Sequence, residues 1–125
     1  MNTWGTLVML QHKYGEFTDK QMSEIKHTLR KKIYFLLLVA EDTDCSKFPD
    51  VNILEAHTSL LWLISGLNEL LGEPPEIVTV LSLLEEAKNM IANNFDFSKY
   101  RKLILDAGAK VQDIPETDGG VADES

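Results

Sequence analysis

The chain has 125 residues, of which 44% are hydrophobic and 26% are charged, as in a soluble globular domain large enough for a core. Its formal net charge is −8, from 12 basic and 20 acidic side chains, so nucleic acids and anionic membranes are disfavoured as partners because both repel an anion. Cys45 is the single cysteine, which excludes an intrachain disulfide, and the first residues lack a signal-peptide pattern. We therefore expect a cytoplasmic protein.

The sequence predicts five helices, and no segment shows the alternation of apolar and polar residues that marks a strand. The first predicted helix covers about residues 3–14. At the start of the second, Thr18 and Gln21 have the spacing of a capping box. The second half of this helix contains eight consecutive apolar residues, Ile33–Ala40, a run too short to span a membrane and too wide for one face of a surface helix. We expect the run to be covered on every side at the centre of the core and the helix to end near Glu41.

The third predicted helix runs from a cap at Asp50 to Leu71 and is unusually apolar. The width of its apolar surface indicates either a central position in the bundle or one half of a dimer interface. Trp62 lies at the boundary of the apolar stripe, where it serves either as core filler or as the anchor of an interface. Gly66 lowers the stability of the helix by up to about 1 kcal/mol relative to alanine, which is tolerable if a neighbouring helix packs closely there.

The fourth and fifth predicted helices have clear boundaries. Pro75 opens the fourth, which covers about residues 75–92. Asp96 is placed to cap the fifth, while Phe95 and Tyr100 have the spacing of a hydrophobic staple.

From residue 115 onward the chain is acidic and has no periodicity. We therefore predict an all-α fold, a compact bundle of about five helices forming a single domain over residues 1–114. A disordered, flexible acidic tail is predicted over residues 115–125.

Charge is segregated along the chain. Residues 1–32 and 99–112 are net basic, whereas 33–98 and the segment from 113 onward are strongly acidic. If the second and fifth predicted helices are neighbours, their cations form one basic patch, although a solvated charged face on each helix explains the same pattern. The candidate interaction residues of this patch are Lys26, Arg30, Lys31, Lys99, Arg101 and Lys102.

No catalytic constellation is present in the sequence. Glu24 and His27 have the Glu-x-x-His spacing of di-iron bundles, but such sites need a second pair and two more carboxylates, which we do not find. His57 lies on the apolar stripe of the third helix, where a core histidine with a satisfied ring nitrogen is expected. Cys45 lies in a polar loop near a single cation, Lys47, a weak setting for a reactive thiol. We predict no enzyme activity, no cofactor and no bound metal.

These observations favour a small cytoplasmic interaction protein that regulates, links or inhibits another macromolecule. A phage or a mobile element is a typical carrier of such a protein. A protein partner is expected, with Trp62 as a candidate contact residue and self-association through the third helix as a further hypothesis. The alternative is a nucleic-acid- or nucleotide-binding protein that uses the basic patch. No interaction with a membrane is expected.

Overall fold

The computed structural model describes residues 18–115, which form four α-helices and no strand. The helices are α1 (Asp19–Glu41), α2 (Ile53–Leu70), α3 (Pro75–Ala92) and α4 (Phe97–Gln112). They correspond to the second to fifth predicted helices. The first predicted helix and the predicted tail from residue 116 lie outside the described residues. The expected number of about five helices is thus corrected to four for the described part of the chain.

The predicted capping box starts α1. The Gln21 backbone N–H donates to Thr18 Oγ1 at 3.0 Å, and the Thr18 N–H donates to Gln21 Oε1 at 2.9 Å. These two bonds satisfy amide groups that the first turn of a helix leaves without partners. The start of α1 was therefore predicted correctly from residues three positions apart.

The starts of α2 and α4 differ in how well they were predicted. Asp96 caps α4 as expected, accepting from the backbone N–H of Lys99 at 3.3 Å. The cap of α2 is Asn52, which accepts from the N–H of Glu55 at 3.0 Å, so the prediction of Asp50 is wrong. Either residue type can cap a helix, and the position of the first helical turn decides between them.

The four helices alternate in direction around one core. Tyr34 of α1 contacts Gly108 of α4, and Arg30 of α1 donates to the side chain of Gln112 at 3.2 Å, so α1 and α4 are antiparallel. Pairs α3–α4 and α2–α3 are likewise adjacent, whereas α1 and α2 pack least closely of the four neighbouring pairs. The largest fully buried apolar side chains are Met22, Ile33, Leu36, Ile64, Ile77, Val80, Leu84, Tyr100, Ile104 and Val111.

The apolar run of α1 is only partly enclosed. Ile33 and Leu36 are fully buried, but Leu38 is 52% exposed, which corrects the expectation that the run is covered on every side. The reason is that α1 contacts α2 and α4 on two sides, and no described helix covers its outer face. The run thus supplies both core and surface.

The close approach of two helices occurs at Gly108 and not at Gly66. A Cβ at Gly108 would collide with the Tyr34 ring, so glycine is required for the contact between α1 and α4 as it stands. A Cβ at Gly66 would meet no atom within 4 Å, which shows that no described helix packs there. The surface of α2 at Gly66 is therefore open to solvent on the outer side of the helix.

Within residues 18–115, no helix is both long enough and apolar enough to cross a membrane.

Candidate interaction surface

The sequence suggested that Lys26 lies on the solvated side of α1, but the structure places it elsewhere. It is buried, and its Nζ donates to the backbone carbonyls of Gln112 at 2.9 Å and Ile114 at 2.8 Å. A positive charge at this position stabilises the carboxyl end of α4, where the helix dipole is negative. Lys26 therefore supports the fold and is removed from the candidate contact residues.

A substitution tests the structural role of Lys26. We expect Lys26→Met to lower the free energy of unfolding by about 1–3 kcal/mol, because it keeps the volume of the side chain but leaves buried carbonyls without a donor. Lys31→Met, at an exposed position of the same helix, should change it by less than about 0.5 kcal/mol. Urea unfolding measures the free energy of unfolding of both variants, and equal losses would contradict the structural role of Lys26.

The remaining cations are spread along the neighbouring helices α1 and α4. Antiparallel packing places Arg30 beside Gln112 at one end of the α1–α4 pair. Arg101 and Leu38 line a groove between the same two helices towards the other end. Eleven residues of helix separate positions 101 and 112, or about 16 Å. The structure thus spreads the basic residues of the two helices along the pair.

Local partners also differ among these cations. Arg30 lies over the ring of Tyr34, 5.6 Å from its centroid, and Lys102 forms an ion pair with Asp106 at 3.0 Å. Lys31 and Arg101 border one groove between α1 and α4, of about 630 Å³. Exposed Lys99 lines a different cavity, which also contains acidic residues.

Trp62 is the most exposed large apolar residue among those described, with 78% of its surface accessible. The core-filler interpretation is therefore wrong for this position. Its neighbour Leu63 is 47% exposed, while His57, Leu60 and Ile64 of the same helix face the core. Trp62 and Leu63 thus lie on the outer side of α2, with Gly66 one turn further along.

An open groove runs between α1 and α2. It consists of two adjoining cavities of about 440 and 420 Å³, and Leu63 lines both of them. Apolar side chains form just over half of the lining, and the polar residues are spread along the length of the groove. We call this the α1–α2 groove and define it by Gln21, Glu24, Ile25, Thr28, Leu29, Lys31, Lys32, Phe35, Leu36, Ala56, Ser59, Leu60, Leu63 and Leu67.

The two cavities of the groove carry opposite charges. Glu24 lines the cavity at the amino-terminal end of α1, and Lys31 and Lys32 line the cavity further along. All three residues are exposed. The groove therefore has an acidic residue in one cavity and two basic residues in the other.

His57 is a core residue, as expected. Its Nε2 shares a hydrogen bond of 2.8 Å with the hydroxyl of Tyr100, and both residues are fully buried. Burial, reinforced by the charge of Lys88, lowers the pKa of His57 to about 4, so the ring is neutral at pH 7. Nδ1 has no hydrogen-bond partner in the described structure. The pair links α2 to α4 across the core and lies away from the exposed surface.

The remaining candidate groups lie apart from this pair. Glu24 and His27 are exposed on α1, and no group of three His, Cys, Asp or Glu side chains within residues 18–115 lies close enough to hold a metal ion. Cys45 is exposed in the loop after α1. In that loop Asp42 accepts from the backbone N–H groups of Lys47 and Phe48 at 3.1 and 2.9 Å.

No protein family, curated protein or solved structure matches this chain. The described residues form a small helical bundle with an open groove between α1 and α2 and an exposed tryptophan on the outer side of α2.

Proposed function

We propose that this chain is a regulator, adaptor or inhibitor that binds a helical segment of another protein in the α1–α2 groove. The observation that supports this most strongly is the exposure of Leu63 in the groove, 47%, and of Trp62 next to it in the chain, 78%. Tryptophan is enriched among the residues that dominate binding energy at protein interfaces. A tryptophan with most of its surface accessible therefore favours a binding role.

The shape of the groove favours a helix as the bound element. Its walls are two antiparallel helices, and it extends along α1 from Gln21 to Leu36, about 22 Å at the rise of an α-helix. A ligand helix of about 15 residues has that length. Its apolar side chains at positions i, i+3, i+4 and i+7 would contact Ile25, Leu29 and Leu67 on the groove floor.

The opposite charges of the two cavities favour one orientation of the ligand. The amino end of a helix is partly positive and its carboxyl end partly negative. A helix parallel to α1 places its amino end beside Glu24 and its carboxyl end beside Lys31 and Lys32. We therefore expect a partner segment with an apolar face and acidic side chains near its carboxyl end.

The alternative function, nucleic-acid or nucleotide binding, has less support from the geometry. It requires the cations of α1 and α4 to form one surface, but Lys26 is buried and Lys102 is paired with Asp106. Self-association would fill the same groove differently, because α2 of a second copy of the chain would then be the bound helix. Light scattering over a wide range of concentrations distinguishes a dimer from a monomer that binds another protein.

Matched variants test the proposed function. Tagged protein carrying Trp62→Ala or Leu63→Glu should lose its partner from native lysate, with the affinity for that partner lowered about 30-fold or more, or about 2 kcal/mol. Both residues are exposed, so we expect the free energy of unfolding of Trp62→Ala to stay within about 0.5 kcal/mol of that of the parent chain.

Val78 supplies the control. It is 49% exposed on α3, outside the groove, so Val78→Ala truncates an exposed apolar side chain elsewhere. This variant should capture the partner as the parent chain does. If all three variants capture it equally well, the groove is not the binding site.

A further inference from the structure

A second groove lies on the other side of α1, between α1 and α4. Its volume is about 630 Å³, larger than either cavity of the α1–α2 groove, and apolar or aromatic side chains form most of its lining. We call it the α1–α4 groove and define it by Lys31, Tyr34, Phe35, Leu37, Leu38, Glu41, Arg101 and Leu105.

The two cations of this groove stand near its opposite ends. Arg30 lies opposite Gln112 in the antiparallel pair, and the same register places Arg101 at the level of Glu41. Lys31 precedes Glu41 by ten residues of helix, or about 15 Å along α1. Two positive charges are therefore separated by about 15 Å of mainly apolar surface.

Both cations are available to a ligand. Lys31 and Arg101 are exposed, and within residues 18–115 neither side chain forms a hydrogen bond or an ion pair. Glu41 is also exposed and opposes Arg101 at one end, so the Lys31 end is the more positive of the two. The groove as a whole keeps a positive charge, which favours an anionic ligand.

The surface between the cations lacks an apolar partner. Leu38 lies between their levels on α1 and is 52% exposed, and no described helix covers the outer face of α1. Leu105 of α4 lines the same part of the groove. A ligand that presents an apolar group here would remove this surface from water, which is favourable.

We propose that the α1–α4 groove binds an extended segment of a protein in which one apolar side chain lies between two acidic ones. An extended chain rises about 3.3 Å per residue, so about five residues span the distance between Lys31 and Arg101. Alternate side chains face the same side, so acidic residues at positions 1 and 5 and an apolar residue at position 3 all face the groove. This site lies outside the α1–α2 groove and does not depend on the proposed function.

The surface favours an acidic protein segment over a nucleic acid. A phosphate backbone would meet the two cations but supplies no apolar side chain for Leu38. The chain carries a formal net charge of −8, so a long polyanion is repelled by the rest of the protein. A short segment with two acidic groups meets less of this repulsion.

An NMR titration of the full chain tests the site with a defined probe. The probe is the capped peptide Ser-Glu-Ser-Leu-Ser-Glu-Ser, and we expect saturable shifts of the backbone amides of Leu38 and Leu105 but not of Val78. Replacing both glutamates by glutamine, or the leucine by serine, should each lower the affinity about tenfold. Equal affinities for the three peptides, or shifts confined to other surfaces, would overturn the proposal.

Variants of exposed residues assign the contacts. Arg101→Gln should lower the affinity for the probe about threefold and Leu38→Glu about tenfold, whereas Glu41→Gln should raise it about threefold by removing a like charge. Lys99→Gln and Val78→Glu make the same kinds of change at exposed positions outside the groove and should alter it less than twofold. If the groove variants and these controls have equal effects, the groove is not the site.

Leu63→Glu separates this inference from the proposed function. This variant should lose partner capture through the α1–α2 groove but bind the probe with unchanged affinity. Probe binding at the α1–α4 groove together with unimpaired capture by Leu63→Glu would support this site and refute the proposed function. Loss of capture without any probe binding would do the reverse. A loss of probe affinity in Leu63→Glu as large as in Leu38→Glu would place the peptide in the other groove and overturn the inference.

Discussion

Tyr100→Ala should lower the free energy of unfolding by about 3–5 kcal/mol, a large part of the stability of a small domain. Tyr100 is fully buried, packs against Phe95 with ring centroids 5.4 Å apart, and bonds to His57 across the core. The truncation leaves a cavity the size of an aromatic ring and removes the hydrogen-bond partner of His57 Nε2. Urea unfolding followed by circular dichroism measures the loss.

Tyr100→Phe is the matched control for this prediction. It keeps the ring and removes only the hydroxyl, so the expected loss is about 1–3 kcal/mol, the usual effect of an unpaired buried polar group. If Tyr100→Phe were as destabilising as Tyr100→Ala, the ring packing would contribute little. If both variants were as stable as the parent chain, the described core would be wrong.

Acid should destabilise the fold through His57. Its pKa is about 4 in the folded chain and near the ordinary 6.5 after unfolding, so between these values the unfolded chain binds the proton and the folded chain does not. Stability contributed by neutral His57 is therefore complete above about pH 6.5 and falls as the pH drops towards 4. At about 1.4 kcal/mol per pH unit, the total loss is about 3 kcal/mol.

His57→Gln provides the comparison, because its amide can bond to Tyr100 but does not titrate. We expect the slope of unfolding free energy against pH to flatten between pH 6.5 and 5, a range above the titration of most carboxylates. The slope is the informative quantity, since the substitution can also alter the absolute stability. Equal slopes for both proteins would show that His57 is protonated in the folded state or accessible to water.

Features that depend on neighbouring residues in the sequence were predicted well. The capping box of Thr18 and Gln21 and the cap at Asp96 involve groups three residues apart, so the local chain determines them. The contact between Phe95 and Tyr100 follows from the same local geometry. Helical periodicity also placed His57 in the core correctly.

Features that depend on helix register were not predictable from the same patterns. Lys26 resembles a solvated lysine in sequence, and its burial arises because the end of α4, 86 residues later, supplies carbonyl acceptors. Trp62 lies at the margin of an apolar stripe, and its exposure is decided by where α1 and α3 pack on α2. The same register places Lys31 and Arg101 on one groove and Lys99 at another cavity.

Photo-cross-linking from position 63 tests the central claim most directly, that the α1–α2 groove is where this protein binds its partner. A photoreactive phenylalanine analogue replaces Leu63 in one full-length protein and Val78 in another, and each is irradiated in native lysate. We expect a covalent adduct with one partner protein from position 63 and none from position 78. An adduct of equal yield from both positions, or from position 78 alone, would contradict the assignment of the groove as the binding site.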